Sequence, residues 1–294
     1  MKNIEAYRII EDTVNLIEEK LKKNLSLDDL SSSLNVSKFH LHRLMRHATG
    51  MPLIEYIRAR RLSKSIDLLM NTRMKIIDIS LEFGFDHEQS YIRSFKKQFG
   101  VTPSCLRKQF QPIKLMEKFD LSRLLNVADG LLFEPVFVMR PSCKLVGRRY
   151  EVNIEENYHE FTSNTVGVDF FYTVQPHIPY KVNPNLYIGL TLLILDEYST
   201  VYFPSTEVYS FSDDIAPENT FVLPAQKYIV FKYIGHFHPR RLTIRQLEEI
   251  WNFIGNWMPK SPYSYAASHY FEYIDITVAT ETYCEVDLHI PYTD

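Results

Sequence analysis

Apolar residues in the first third of the chain recur every three or four positions. Ile9, Ile10, Val14, Ile17 and Leu21 form one such stripe within Ile4 to Lys23, which predicts a packing helix. Ser26 is placed as an N-cap, with Asp28 and Asp29 in the first turn of a short helix over 27–34. Ser37 caps the next helix, which runs to Gly50, and residues 53–72 form a long periodic helix. Ile79, Leu81 and Phe83 then lead into Gly84, a helix stop, with Phe85 in the turn. A further helix follows from about His87 to Phe99. Tyr91, Ile92, Phe95 and Phe99 are its buried stripe, and Gln89, Arg93, Lys96 and Lys97 its other face.

Arg43–Gly50 lines up with Arg93–Gly100 at an offset of 50 residues, so the helix-turn-helix unit occurs twice. Two such units joined by one stiff helix would enter successive major grooves, about 34 Å apart. Arg pairs with guanine O6 and N7, and Gln with adenine N6 and N7. A plain amphipathic helix with a solvated basic face is the competing reading. Within the joining helix Arg58, Arg60, Arg61 and Lys64 are either phosphate contacts or solvated charge.

From residue 136 the period changes from helix to strand. Strands are predicted at 137–139, 144–152, 187–192, 201–209, 227–236, 270–274 and 284–291, with helix over 153–175 and 242–258. The order strand–helix–strand–strand occurs twice, predicting an α+β unit whose duplicated halves share a sheet with a cleft between the helices. The expected fold is therefore multidomain. Residues 1–112 are all-α with two helix-turn-helix motifs, 113–135 connect, and 136–294 are α+β. Leu115, Phe119, Leu121, Leu124 and Leu125 suggest a short amphipathic helix in the connector, ended by Asp129-Gly130 and Pro135.

Charge divides at the same place. Residues 1–112 hold 19 Lys and Arg against 13 Asp and Glu, and the remainder holds 14 against 23. A basic first part suits a polyanion. Both Trp and 16 of the 19 Tyr follow residue 112, which suits an aromatic pocket for an apolar or cationic organic molecule, or a sheet core. Cys105, Cys143 and Cys284 are too few and scattered for a disulfide framework or a zinc site. His236 and His238 share a strand face without a third ligand nearby, so no metal or other cofactor is expected. The absence of a long apolar run and of a signal-peptide core predicts a cytosolic protein without membrane contact.

The segment 50–107 resembles the AraC/XylS family of transcription regulators. The matching residues are Tyr56, Arg61-Leu62, Leu68-Leu69, Ile76–Ile79, Gly84-Phe85, Arg93, Phe95-Lys96-Lys97, Gly100, Thr102-Pro103 and Arg107. Residues 37–43 look most like the family's stress-regulator subgroup. Ser80 departs from the family's Ala, and Phe39 from the subgroup's Trp. The resemblance implies base-facing roles for Phe39, His42, Arg43, Gln89 and Arg93. Lys38, His40, Arg46, Ser90, Lys96 and Lys97 complete the expected DNA surface. It also implies operator DNA as partner, with RNA polymerase beside it.

The second part resembles the GyrI-like, or BmrR-type, effector-binding family. The resemblance rests on residues 187–190 (YIGL), 223–236, the Trp251–Trp257 helix, 270–273 (YFEY) and 285–291. It implies a small organic effector held between aromatic walls over a carboxylate, with Glu272 at that position and Trp251, Tyr228 and Tyr233 as walls. Strand alternation sends Glu272 to the face opposite Phe271 and Tyr273. Whether that face is cleft or solvent stays open. Two other classes compete with the sensor reading: a hydrolase with Glu272 as general base, and a protein-interaction module.

Overall fold

Side-chain caps and left-handed residues set the helix ends of the first unit. In the computed structural model, which describes residues 5–23, 25–109, 111–127, 129–193, 198–266 and 269–293, the chain divides into two units, Met1–Arg123 and Leu124–Asp294. The first contains α1 (Glu5–Glu19), α2 (Leu27–Leu34), α3 (Lys38–Thr49), α4 (Leu53–Asn71), α5 (Ile76–Glu82), α6 (Glu88–Phe99) and α7 (Pro103–Lys108). Ile4, the expected start of the first helix, lies outside the described residues. Ser26 and Asp29 form a reciprocal capping box on α2, and Ser37 accepts from the His40 amide at the start of α3. Gly50 and Gly100 close the two equivalent helices α3 and α6 with φ of 74° and 78°. A side chain is strained there, so the repeated glycines mark the repeated helix ends.

Helix α4 ties the two motifs together. Leu62 and Leu69 pack with Ile79, Phe83, Tyr91, Phe95, Phe99 and Leu106, and the Tyr91 hydroxyl meets Ser65 Oγ at 2.8 Å in the buried core. Arg60 and Arg61 are bonded within the protein. Arg60 is 2% exposed and makes two bonds to the Glu18 carboxylate, at 2.7 and 2.8 Å. Arg61 donates to the carbonyls of Leu21, Lys23 and Gly84. Of the basic set on α4, Arg58 and Lys64 remain exposed.

The expected amphipathic helix in the connector is absent among the described residues. Residues 111–120 have neither helix nor strand, and a short 3₁₀ turn occupies Leu121–Arg123. Its apolar spacing is helical, yet the amides of Met116 and Phe119 are taken by side chains of α4. The rest of the connector is strand, β1 (Leu125–Val127) and β2 (Gly130–Leu132), belonging to the second unit.

That unit continues with β3 (Val136–Arg140), β4 (Cys143–Gly147) and β5 (Tyr150–Asn153), then α8 (Ile154–Glu160) and α9 (Thr162–Asp169). A π-turn over Phe170–Val174 follows, then β6 (Leu186–Leu193), β7 (Ser199–Val208), β8 (Thr220–Leu223) and β9 (Gln226–Gly235). Helix α10 (Ile244–Trp257) precedes β10 (Ser264–Tyr265), β11 (His269–Asp275) and β12 (Cys284–Thr293). The two strand–helix–strand–strand halves meet where β6 pairs antiparallel with β11, Glu272 directly opposite Gly189. The sheet order runs β1-β2-β9-β12-β11-β6-β7-β4-β8. Alternation divides the buried residues between two faces. Phe231, Tyr233, Ile274 and Val286 pack with α10, and Leu190, Phe203, Tyr228 and Phe271 lie in a second core. Among the described residues no helix is long and apolar enough to cross a membrane.

Candidate functional site

Each reading helix of the first unit is buried along one stripe. Helix α3 buries Leu41, Leu44 and Met45. That leaves Lys38, Phe39 and Arg46 exposed, and His40, His42 and Arg43 half-buried. Phe39 is 87% exposed, so packing does not account for it. Lys38 ion-pairs with Asp28. Helix α6 buries Tyr91, Phe95 and Phe99, and Gln89, Ser90, Arg93, Lys96 and Lys97 are all exposed on its other side. Lys96 and Lys97 also lie in the last turn, where the helix dipole favours cations. Every residue expected at the DNA surface is thus at least partly accessible.

The second unit holds a cleft of about 890 Å³, counting its open mouth, above the β6–β11 pair. One wall is α9 and the π-turn, with Asn164, Val168, Phe171 and Tyr172, and the other is residues 239–251. The π-turn brings Phe171 and Tyr172, consecutive in sequence, to the same cleft. Contacts across the mouth join the walls. Asn164 Nδ2 donates to the carbonyls of Arg240 (3.1 Å) and Leu242 (2.6 Å), and the Arg240 guanidinium stacks 3.9 Å over the Tyr172 ring. Trp251 meets Tyr270 edge-on at 4.5 Å.

Glu272 lies at the floor, 6% exposed. Gly189 makes room for it: a Cβ there would lie 2.2 Å from Glu272 Oε2 and 2.4 Å from the Tyr202 hydroxyl. Tyr202 donates to Glu272 Oε2 at 3.4 Å, and the hydroxyls of Tyr187 and Tyr202 are 2.6 Å apart. Burial pushes the Glu272 carboxyl up to about 8, against an ordinary 4.5. Burial first, and then the Glu272 charge, raises Tyr202 well above the usual phenol range and Tyr270 to about 12. The phenols therefore stay protonated while the carboxyl is poised to titrate. None of the ion pairs among the described residues reaches Glu272.

The structure brings Glu272 and Trp251 into one cleft and leaves the other two expected walls outside it. Tyr228 is fully buried in the core of the opposite face, edge-on to Phe271 at 5.3 Å. Tyr233 shares the helix-bearing face but packs against Phe237 and Gly130, beneath β2. The two are five apart on one strand, so they point to opposite faces, and that parity was available in the sequence. Tyr187, Tyr202 and Tyr270 take their place. Tyr270 was within reach of sequence reasoning, two residues before Glu272 on the same face. Tyr187 and Tyr202 depend on strand register, for which the sequence carries no local signal.

Fold and site together define a two-part regulator, a twin helix-turn-helix reader followed by a domain with a small-molecule cleft. Residues 30–109 match the family described as a helix-turn-helix domain, and residues 134–293 that of the GyrI-like small molecule binding domain. The chain is 30% identical over 234 residues to transcriptional regulator Rob of Salmonella typhimurium, an alignment covering 77% of this chain and 78% of that one. It is 35% identical over 150 residues to the right origin-binding protein of Escherichia coli K12, covering half of each chain. The HTH-type transcriptional activator AarP of Providencia stuartii is 41% identical over 99 residues, 34% of this chain and 73% of that one. The chain belongs to the AraC family of DNA-binding transcription regulators, in the form that carries a GyrI-like small-molecule binding domain.

Proposed function

We propose that the cleft binds an organic cation with an apolar or aromatic body, and that its occupancy changes how the first unit binds operator DNA. The observation that carries this is Glu272, a buried carboxyl at the floor of an aromatic cleft, which accepts from the Tyr202 hydroxyl. Removing a carboxylate from water is costly unless an opposite charge arrives with the ligand. Aromatic rings add cation–π attraction to the same guest. On the DNA side, Arg43, Gln89 and Arg93 read base edges and Lys96 and Lys97 hold phosphates.

A permanently charged probe, benzyltrimethylammonium, isolates the carboxyl because the probe itself does not titrate. Trp251 fluorescence follows its binding to the full chain. The cation prefers ionised Glu272, so its affinity rises about tenfold per pH unit below the carboxyl's pKa and levels off above it. Glu272→Gln abolishes both the slope and most of the affinity. Equal affinity at pH 6 and pH 9, or binding undiminished in Glu272→Gln, overturns the assignment.

The Tyr187–Tyr202–Glu272 hydrogen-bond chain favours one second reading, a hydrolase in which Glu272 takes a proton from water as it attacks an ester. Hydrolysis of p-nitrophenyl acetate that is lost in Glu272→Gln is its signature.

A further inference from the structure

Among the described residues, two charged side chains line the Glu272 cleft, and they stand apart. Glu272 is buried at the floor, and Arg240 is exposed at the mouth. Between them the lining is largely aromatic and aliphatic, with Val168, Phe171, Leu247, Trp251 and Tyr270. The two charges do not neutralise each other. The shift of the Glu272 carboxyl comes from burial and hydrogen bonds, with no share from a nearby cation. Nor does any ion pair among the described residues join Arg240 to a carboxylate.

Arg240 is nonetheless held in place at both ends. Its guanidinium sits 3.9 Å over the Tyr172 ring. Its carbonyl accepts from Asn164 at 3.1 Å, and its amide donates to His238 Nδ1 at 3.1 Å in the 3₁₀ turn Pro239–Arg241. A side chain ordered in this way leaves less freedom for a guest to remove. Its N–H groups have no protein acceptor among the described residues, and a guanidinium fork matches a carboxylate. Arg240 also takes the Tyr172 ring face that a guest cation would use. The mouth therefore favours negative charge, whereas the floor favours positive charge.

We propose that the cleft selects guests that carry both charges: a cationic group seated at Glu272, an apolar or aromatic middle, and an anionic group such as a carboxylate that meets Arg240 at the mouth. This narrows the effector class and rests on the reading of the cleft given above. Arg240 is then the specificity-determining residue. A guest with a cation alone meets repulsion at the mouth, and a guest with an anion alone meets repulsion at the ionised floor. A guest with both satisfies each end and brings no net charge into the cleft. Complementarity of this kind sorts guests more than it adds affinity.

The test is calorimetric titration of the full chain at low salt and about pH 9, above the Glu272 carboxyl's value of about 8. The probes are benzyltrimethylammonium and two relatives with a para carboxylate, one attached directly to the ring and one through a two-carbon arm, so that different reaches are sampled. At least one carboxylate probe binds the wild type about three- to tenfold more tightly than the plain cation. The gain shrinks as salt is raised. In Arg240→Gln the order reverses: the carboxylate probe weakens, and the plain cation binds as well as before or better. Retained binding of the plain cation shows that the variant's cleft is folded. Arg241→Gln removes an exposed cation on the same turn that does not line the cleft, and it keeps the wild-type preference. A wild type indifferent to the carboxylate, or a preference that survives Arg240→Gln, overturns the two-charge assignment and leaves the cation reading standing. Failure of every probe to bind overturns the cation reading, and this assignment with it.

Discussion

Replacing Glu272 by Gln is expected to stabilise the second unit, and more so as pH rises. The carboxyl sits at about 8 in the folded chain against an ordinary 4.5. Between those values the folded state keeps a proton that the unfolded chain has released. Folding therefore takes up a proton, and stability falls as pH rises through this window. Below it both states are protonated and no penalty exists, and above it the penalty is complete. Each pH unit inside the window is worth about 1.4 kcal/mol. Between about pH 5.5 and about pH 7.5 the wild type thus loses up to about 3 kcal/mol relative to Glu272→Gln. For a unit of this size that corresponds to about 5–10 °C in Tm. Both tryptophans, Trp251 and Trp257, lie in the second unit, so fluorescence melting of the full chain reports that unit alone. Histidines such as His289, held down at about 3 by burial, titrate alike in both proteins and cancel in the difference. Melting temperatures that run parallel across this range, or a wild type that gains on the variant with pH, refute the buried-acid argument.

Gly189→Ala places a methyl against Glu272 and Tyr202. It should destabilise the unit by about 1–3 kcal/mol and lower benzyltrimethylammonium affinity at least about tenfold, read by melting and titration. Arg93→Ala should cost about 1–3 kcal/mol in affinity for a duplex that the wild-type chain selects from a random pool and relax the preference at one base pair, read by competition between single-site variants of that duplex. Arg60→Leu leaves Glu18 without its cation and the Met116 carbonyl without its donor. A loss of about 3 kcal/mol in the first unit is expected by denaturant unfolding, whereas exposed Arg58→Leu should change little.

The first unit was legible because its signals are local. Capping residues, left-handed glycines and an apolar stripe every three to four positions are all written within one helix length. What the sequence concealed was the use of Arg60 and Arg61, since their partners at Glu18, Leu21, Lys23 and Gly84 lie 23 to 42 residues away. A basic face on a periodic helix looks the same whether it meets phosphate or protein carbonyls. The connector misled for the complementary reason. Leu115, Phe119 and Leu121 have helical spacing, but hydrogen bonds to α4 offered the backbone a different solution. In the second unit, alternation oriented Glu272 correctly against Phe271 and Tyr273. The walls of its cleft depend on how β6, β7 and β11 are registered, which only tertiary structure decides.

Arg61 fixes more than a helix end. By donating to carbonyls before α2 and in the turn before α6, one guanidinium ties a segment of each helix-turn-helix motif to α4. Heads held this way cannot adjust separately to a duplex. Any disagreement between their separation and the helical pitch must be absorbed by DNA curvature, at a cost that depends on the stiffness of the base steps between the half-sites. The protein would then discriminate among operators partly through bases it never touches, preferring easily kinked steps in the spacer and rejecting sites lengthened by a single base pair.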